Sequence, residues 1–301
     1  MRTFLLVLLA LAAGGALAGC GALPRSATPR GVRVVAAENF WGSIAGQLGG
    51  IHADVRSIIT SPAQDPHSYE PTAADARGLA IAQLAIFNGA GYDPWAAKLL
   101  AAEPVDGRRQ LSVGKLLGLV PGDNPHRWYD PADVGRVAGA ITASLAALDP
   151  RHSAYYRRRL RWFQTTALGP YHRLITLIRR RYAGVPVGAS ESIFALLSPA
   201  LGLRLRTPPS FMRAVSEGTD LSAQDTATAE RQMATRQISV WIENAQNLTP
   251  EIQRLNALAR ARRIPIVTIT ETLAPARDSF EQWQVAQLAR LASALHRVTG
   301  R

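Results

Sequence analysis

The 301-residue chain is poor in cysteine and in lysine. Cys20 is its only cysteine, so no internal disulfide can form and stability has to come from a packed core. Lysine occurs only at Lys98 and Lys115, and arginine accounts for nearly all of the positive charge behind a formal net charge of +12. Those arginines are scattered over helical stretches, and no aromatic-interleaved basic motif accompanies them, which argues against nucleic acid as a partner. The densest group, Arg157 to Arg161 with Arg179 to Arg181, reads as the solvated face of a long helix. No apolar run is a good transmembrane helix; the one at residues 4–17 is too short and too rich in alanine and glycine. The sequence has no HExxH, no GxSxG and no Walker A loop, and Gly89-Ala90-Gly91 reads as a tight turn. Nothing here asks for catalysis, and the chain is expected not to be an enzyme.

An apolar fraction of 47% with evenly spread charge predicts a folded body. The length is generous for one core and comfortable for two lobes. Met1-Arg2 and the apolar run that follows read as a signal peptide over residues 1–19. That run ends in Leu17-Ala18-Gly19-Cys20, which resembles the bacterial lipobox. Lipidation of Cys20 would tether the protein to the extracytoplasmic face of the cell membrane, each methylene buried in lipid contributing roughly 0.8 kcal/mol. Residues 20–31, rich in proline, serine and small residues, would form the stalk.

From Val32 onward, short β-branched runs alternate with amphipathic helices, the signature of a βαβ succession. Strands are predicted at residues 32–36, 55–60, 84–88 and 110–113, and again at 185–189, 203–206, 238–242 and 264–269. Helices are predicted at 41–48, 92–101 and 131–148 in the first series, and at 192–201, 223–236, 250–262 and 280–298 in the second. Between the series, residues 149–182 carry apolar positions near helical spacing and one internal break, Gly169-Pro170. This predicts one long helix bent at Pro170. The expected fold class is α/β, with two lobes (32–148 and 183–301), each a mainly parallel sheet flanked by helices, bridged by that helix. A stiff strut of this kind would let a cleft close by degrees and would not let it swing wide.

The sharpest local signal is Asp65-Pro66-His67-Ser68-Tyr69-Glu70-Pro71, after a predicted strand. Each proline fixes its own φ and biases its predecessor toward extended geometry, so His67 sits on a restrained loop. The same design recurs at Asn124-Pro125-His126-Arg127-Trp128-Tyr129-Asp130-Pro131, just before a predicted helix. A single loop histidine is ordinarily a surface residue. Two with the same Pro-His-x-aromatic setting, near the loop ends where βα folds place their sites, point to a pair of metal ligands.

With these motifs the chain resembles the cluster A-I solute-binding proteins of bacterial metal ABC transporters. The resemblance covers nearly the whole mature chain and is strongest in DPHSYEPT (65–72), NGAGYDPW (88–95), PHRWYDP (125–131) and TITETL (268–273). It implies two lobes bridged by a long helix, with one divalent metal ion bound between them as transported ligand. Two ligands would come from each lobe, and His67 and His126 match the N-terminal pair. The third family position follows the first strand of the second lobe; Glu191, in Gly188-Ala189-Ser190-Glu191-Ser192-Ile193-Phe194, fits it. The alternative for Glu191 is a helix-end glutamate that caps backbone amides. The fourth position lies beyond the last strand, where Glu271 stands in place of the commoner aspartate; Glu243, beside Asn244, is the other candidate.

Two neutral imidazoles and two carboxylates would cancel the charge of a dication, so the filled site could be desolvated without a buried net charge. The empty site would hold two carboxylates in repulsion, or a proton shared between them. A mixed N2O2 set suits zinc, manganese or iron. No histidine occurs in residues 68–125, where zinc-specific relatives often carry a histidine-rich loop, and Glu191 resembles manganese members. The NGAGYDPW and ETL wording leans to zinc, with manganese next. The partners implied are an ABC permease with its cytoplasmic ATPase and, through the lipid anchor, the membrane, with the protein acting as a monomer. The alternative role is a surface adhesin on the same scaffold.

Overall fold

The structure is a computed structural model that describes residues 31–120 and 122–301. The predicted signal peptide, Cys20 and nearly all of the stalk lie outside the described residues. In the first half, β1 (Val32–Glu38), α1 (Asn39–Gly49), β2 (Ala53–Ile59), α2 (Ala73–Ala80), β3 (Leu84–Phe87), α3 (Pro94–Ala102), β4 (Arg109–Ser112), α4 (Val113–Leu117) and α5 (Pro131–Leu148) follow one another. The second half begins after α6 (Ser153–Trp162) and α7 (Gly169–Tyr182). It comprises β5 (Pro186–Ala189), α8 (Ser198–Leu201), β6 (Arg204–Leu205), α9 (Pro209–Glu217), α10 (Ala223–Ala234), β7 (Val240–Asn244), α11 (Pro250–Ala261), β8 (Ile266–Ile269) and α12 (Phe280–Thr299).

The strands form two four-stranded sheets, in the orders β2-β1-β3-β4 and β6-β5-β7-β8, and every pairing is parallel. Parallel sheets need both faces covered, and β1 shows how this is met. Val32, Val34 and Ala36 join one apolar cluster, while Val35 and Ala37 on the opposite face join another with Leu79, Trp95 and Leu100. In each sheet the order reverses direction beside its first strand, between β1 and β3 and between β5 and β7. Such folds bind ligands beyond the carboxyl ends of the strands at this switch point.

The predicted single connecting helix is interrupted. A 3-10 turn at Pro150–His152 leads into α6, and a wide π turn at Phe163–Ala167 separates α6 from α7. The Leu168 N–H reaches back to the Phe163 carbonyl at 2.9 Å. Pro170 has no N–H to offer the carbonyl of Thr166, and the interruption lies just upstream of the proline.

The halves are joined by more than this connector. The larger apolar cluster runs from β1 and α1 through α5, α6 and α7 into the second half. Within the first half Phe40 and Trp128 stack at 3.9 Å between centroids, and beside them Tyr129 crosses the seam to meet Trp283 edge-on at 5.8 Å. Polar contacts cross the same seam: the Tyr129 hydroxyl donates to the Thr270 carbonyl at 2.7 Å, and the Leu273 N–H donates to Asn39 Oδ1 at 3.1 Å.

Candidate metal site between the lobes

Four loops, leaving the carboxyl ends of both sheets, converge here. On the first, Asp65 accepts the His67 N–H at 2.9 Å, and the capping box of α2 fixes Thr72 a few residues on. Together with Pro66 and Pro71 these contacts restrain the His67 backbone. The second, between α4 and α5, is held by Asn88 at the end of β3, whose Oδ1 accepts from Trp41 Nε1 at 3.1 Å and whose amide donates to the Pro125 carbonyl at 2.9 Å. Asp130 then caps α5 by accepting the Ala132 N–H at 2.8 Å.

The hydrogen bonds around His126 also fix its proton. The Asn124 amide nitrogen donates to the Ser192 carbonyl at 2.6 Å, so Asn124 Oδ1 faces the imidazole, 2.8 Å from Nδ1. Nδ1 must therefore carry the hydrogen, which leaves the lone pair on Nε2. His126 Nε2 and His67 Nε2 are both buried atoms without a hydrogen-bond partner among the described residues. Burial holds the His126 imidazole well below its usual pKa, with His67 nearby adding to the effect, so it stands neutral and able to donate its lone pair.

Facing the histidines is Glu271, on the turn after β8. Its Oε2 lies 3.5 Å from His67 Nε2 and 4.0 Å from His126 Nε2. Ligand atoms of His67, His126 and Glu271 lie within 4.8 Å of one another, a spacing suited to enclosing one cation. The Tyr92 hydroxyl donates to Glu271 Oε2 at 2.7 Å, and the Asn244 amide donates to Oε1 at 2.8 Å.

Glu191 stands next to this group but is not among its three members. The Asn244 amide nitrogen sits between the carboxylates, donating at 2.9 Å to Glu191 Oε2 as well as to Glu271. Asn247 donates to Glu191 Oε1 at 2.5 Å. Glu191 makes no side-chain cap to the short helix that follows, so its buried carboxylate is held by amides and not by a helix end. Burial first, and then the charge of Glu271, push the Glu191 carboxyl up to about 8, although the Asn244 and Asn247 hydrogen bonds pull the other way. Glu271 is likewise raised by burial, against the opposing pull of His67 and the Tyr92 hydrogen bond. Both shifts favour a proton held between the two carboxylates when no cation is present.

Glu243, the other candidate for the fourth position, points elsewhere. Its Oε2 accepts from Asn256 at 2.5 Å and its Oε1 from Thr268 at 2.9 Å. Side chains alternate along a strand, so Asn244, one residue on, turns to the cleft that Glu243 faces away from.

Sequence reasoning overlooked Tyr92, Asn124, Asn244 and Asn247, which position the candidate ligands. Tyr92 had a signal in its place within the glycine turn. That turn is as expected: Gly89 has φ +71°, and a side chain there would meet Ser112 Oγ at 2.7 Å. Asp93 closes it by accepting the Asn88 and Gly89 N–H groups at 2.7 and 2.6 Å. Beside the histidines opens a cavity of about 400 Å³ bounded by His67, His126, Ser192, Met212 and Arg213. Neither Glu191 nor Glu271 lines it; Asp123 and Glu217 do, together with the two imidazoles.

Two all-parallel α/β lobes joined by an aromatic seam, with nitrogen and oxygen donors gathered at the facing strand ends, are the hallmarks of a solute-binding protein. Residues 34–294 match the family described as ZnuA, zinc-uptake complex component A, periplasmic. The chain belongs to that family of periplasmic metal-binding proteins. Among curated relatives it is 26% identical over 193 residues to the iron-binding protein YfeA of Yersinia pestis, covering 60% of each chain. It spans 46% and 60% of the lengths of the two curated relatives compared. Among solved structures, a cadmium-bound periplasmic metal-binding protein from Candidatus Liberibacter asiaticus superposes with a TM-score of 0.71 at 18% identity, over 88% of this chain and 99% of the other. The laminin-binding protein of Streptococcus agalactiae, described as having adhesin and metal-transporting activity, gives 0.73 at 21% identity, over 88% and 100%.

Proposed function

We propose that the protein captures one divalent transition-metal ion in the interlobe cleft and delivers it to an ABC permease, with zinc preferred and manganese next. The observation that carries this reading is the pair of buried, unpartnered Nε2 atoms of His67 and His126 facing the Glu271 carboxylate. Buried polar atoms without partners cost free energy unless something binds them. His67, His126 and Glu271 are the ligands proposed, with Glu191 completing the set once a dication removes the repulsion that Asn244 now mediates. Two imidazoles suit zinc, and the carboxylates keep manganese and iron within reach. Four protein ligands would close the coordination shell, leaving no open position for catalysis.

Residues 1–19 are proposed as the signal peptide, Cys20 as the lipidated residue and 20–31 as the stalk, with lobes at 32–148 and 183–301 joined by 149–182. The body is proposed to work as a monomer on the extracytoplasmic face of the membrane. Equilibrium dialysis of the purified chain against zinc and manganese together, read by elemental analysis, tests the ion. One tight equivalent of zinc, lost in His67→Ala with His126→Ala, is expected; retention of that equivalent overturns the site. Deletion should cause a growth defect under metal starvation. Intact uptake with lost surface attachment would favour adhesion instead.

A further inference from the structure

Four of the chain's six histidines fall into two groups, and the second group lies far from the cleft. His52 ends the 3-10 turn Gly50–His52 just before β2, whereas His67 follows the other end of that strand. A seven-residue strand separates the two places, or roughly 20 Å. Asp149 precedes, and His152 ends, the 3-10 turn between α5 and α6. His152 Nδ1 lies 2.7 Å from Asp149 Oδ2, and the His52 ring stacks on the His152 ring at 3.7 Å between centroids. Ligand atoms of the three residues lie within 4.8 Å of one another, and all three are half-buried. A cleft of about 510 Å³ opens onto them.

Part of this arrangement has a purely structural explanation. The Tyr156 hydroxyl donates to Asp149 Oδ2 at 2.9 Å and lies 3.1 Å from the His52 carbonyl, which ties the start of α6 to the first lobe. The His52 imidazole is not accounted for in this way, because neither of its nitrogens is hydrogen-bonded among the described residues. It rests on a second imidazole with an edge of Tyr155 at 4.7 Å. Two stacked imidazoles beside a carboxylate form a donor set, and the tyrosines hold the backbone that presents it.

We propose that His52, Asp149 and His152 form a second, more exposed binding site for an imidazole-preferring divalent transition-metal ion such as zinc. The neutral His152 imidazole moves its hydrogen from Nδ1 to Nε2 by exchange with water, and the ion takes the vacated place between Nδ1 and Asp149 Oδ2, whose separation widens slightly to the edge of a coordination shell with bonds of roughly 2.0 to 2.2 Å. His52, with no hydrogen bond to break, turns to bring in the third nitrogen. One carboxylate leaves a net positive centre, which half-exposure tolerates, and water fills the open position. This site exchanges faster and binds more weakly than the cleft.

Zinc titration of the full mature chain, by calorimetry and by elemental analysis after dialysis, tests the proposal. Wild-type protein should take up two equivalents, the second bound at least about tenfold more weakly. His52→Ala should remove the weaker one and leave the tighter. His67→Ala with His126→Ala should do the reverse, so failure at one site is read separately from failure at the other. Zinc should also shift the imidazole nitrogen resonances of His52 and His152 in unmutated protein, a readout independent of how the variants fold. A single equivalent in wild type, or a weaker equivalent that survives His52→Ala with those resonances unmoved, overturns it.

Discussion

The two lobes bring opposite chemistry to the cleft. The first supplies imidazoles, aimed by prolines, by Asn124 and by the Asp65 turn, and the buried His126 is neutral when the site is empty. The second supplies carboxylates packed behind one amide, with Glu191 pushed up to about 8 and Glu271 raised beside it. The first half of the site is therefore preorganised at little electrostatic cost. The second stores repulsion that a cation would relieve, so under the proposed function most of the electrostatic gain on loading would arise there.

This contrast can be broken by substitution. The largest effect is expected from Glu271→Gln, which keeps the shape but removes the charge that faces both imidazoles; zinc affinity should fall on the order of a hundredfold in competition titrations. His126→Ala should follow, since it also leaves Asn124 without its partner, and His67→Ala should cost about tenfold. If Glu271→Gln proved milder than His67→Ala, the division of labour between the lobes would be wrong.

The pair Glu191 and Glu271 sharpens the comparison through pH. A carboxyl whose folded pKa is raised stabilises the fold relative to its ionised form below its unfolded value, near 4.5, and that contribution is lost as pH rises toward about 8. His126, held well below its usual value, acts in the opposite sense, so wild-type melting alone does not separate them. The difference between Glu191→Gln and wild type does: the metal-free variant should gain in relative stability steadily from pH 5 to pH 8 in thermal melts. Metal uptake near neutral pH should also expel about one proton, measurable by calorimetry in buffers of different ionisation enthalpy. The smallest effect is expected from Tyr92→Phe, which removes one hydrogen bond to Glu271 and should weaken zinc binding only severalfold.

Much of this was legible in the sequence because it depends on short-range order. All eight predicted strands are present, with β6 reduced to Arg204–Leu205, since runs of β-branched residues between turn signals report directly on buried parallel strands. Helices α2, α4 and α9 were not predicted; α4 spans only five residues and α9 starts inside the pair Pro208-Pro209, which reads as a breaker. His67 and His126 were visible through their flanking prolines. Glu191 and Glu271 depended on family resemblance, because nothing local marks a carboxylate as facing a distant histidine. Asn244 was illegible for a different reason: whether it or Glu243 turns to the cleft is set by the phase of β7 within the second sheet, and a shift of one residue would exchange them.

The aromatic seam constrains how an ion can leave. A buried ring of this kind removes roughly 150 to 250 Å² from water, so exposing even one costs about 4 kcal/mol at the usual area coefficient. Parting the lobes would have to prise Trp283 from Tyr129 and break the Tyr129–Thr270 and Leu273–Asn39 hydrogen bonds that cross with it. His67, with its side chain 24% accessible on a loop outside the seam, can swing outward while those rings stay packed. Under the proposed function, release of an ion would then be a matter of one imidazole letting go while the two lobes stay closed.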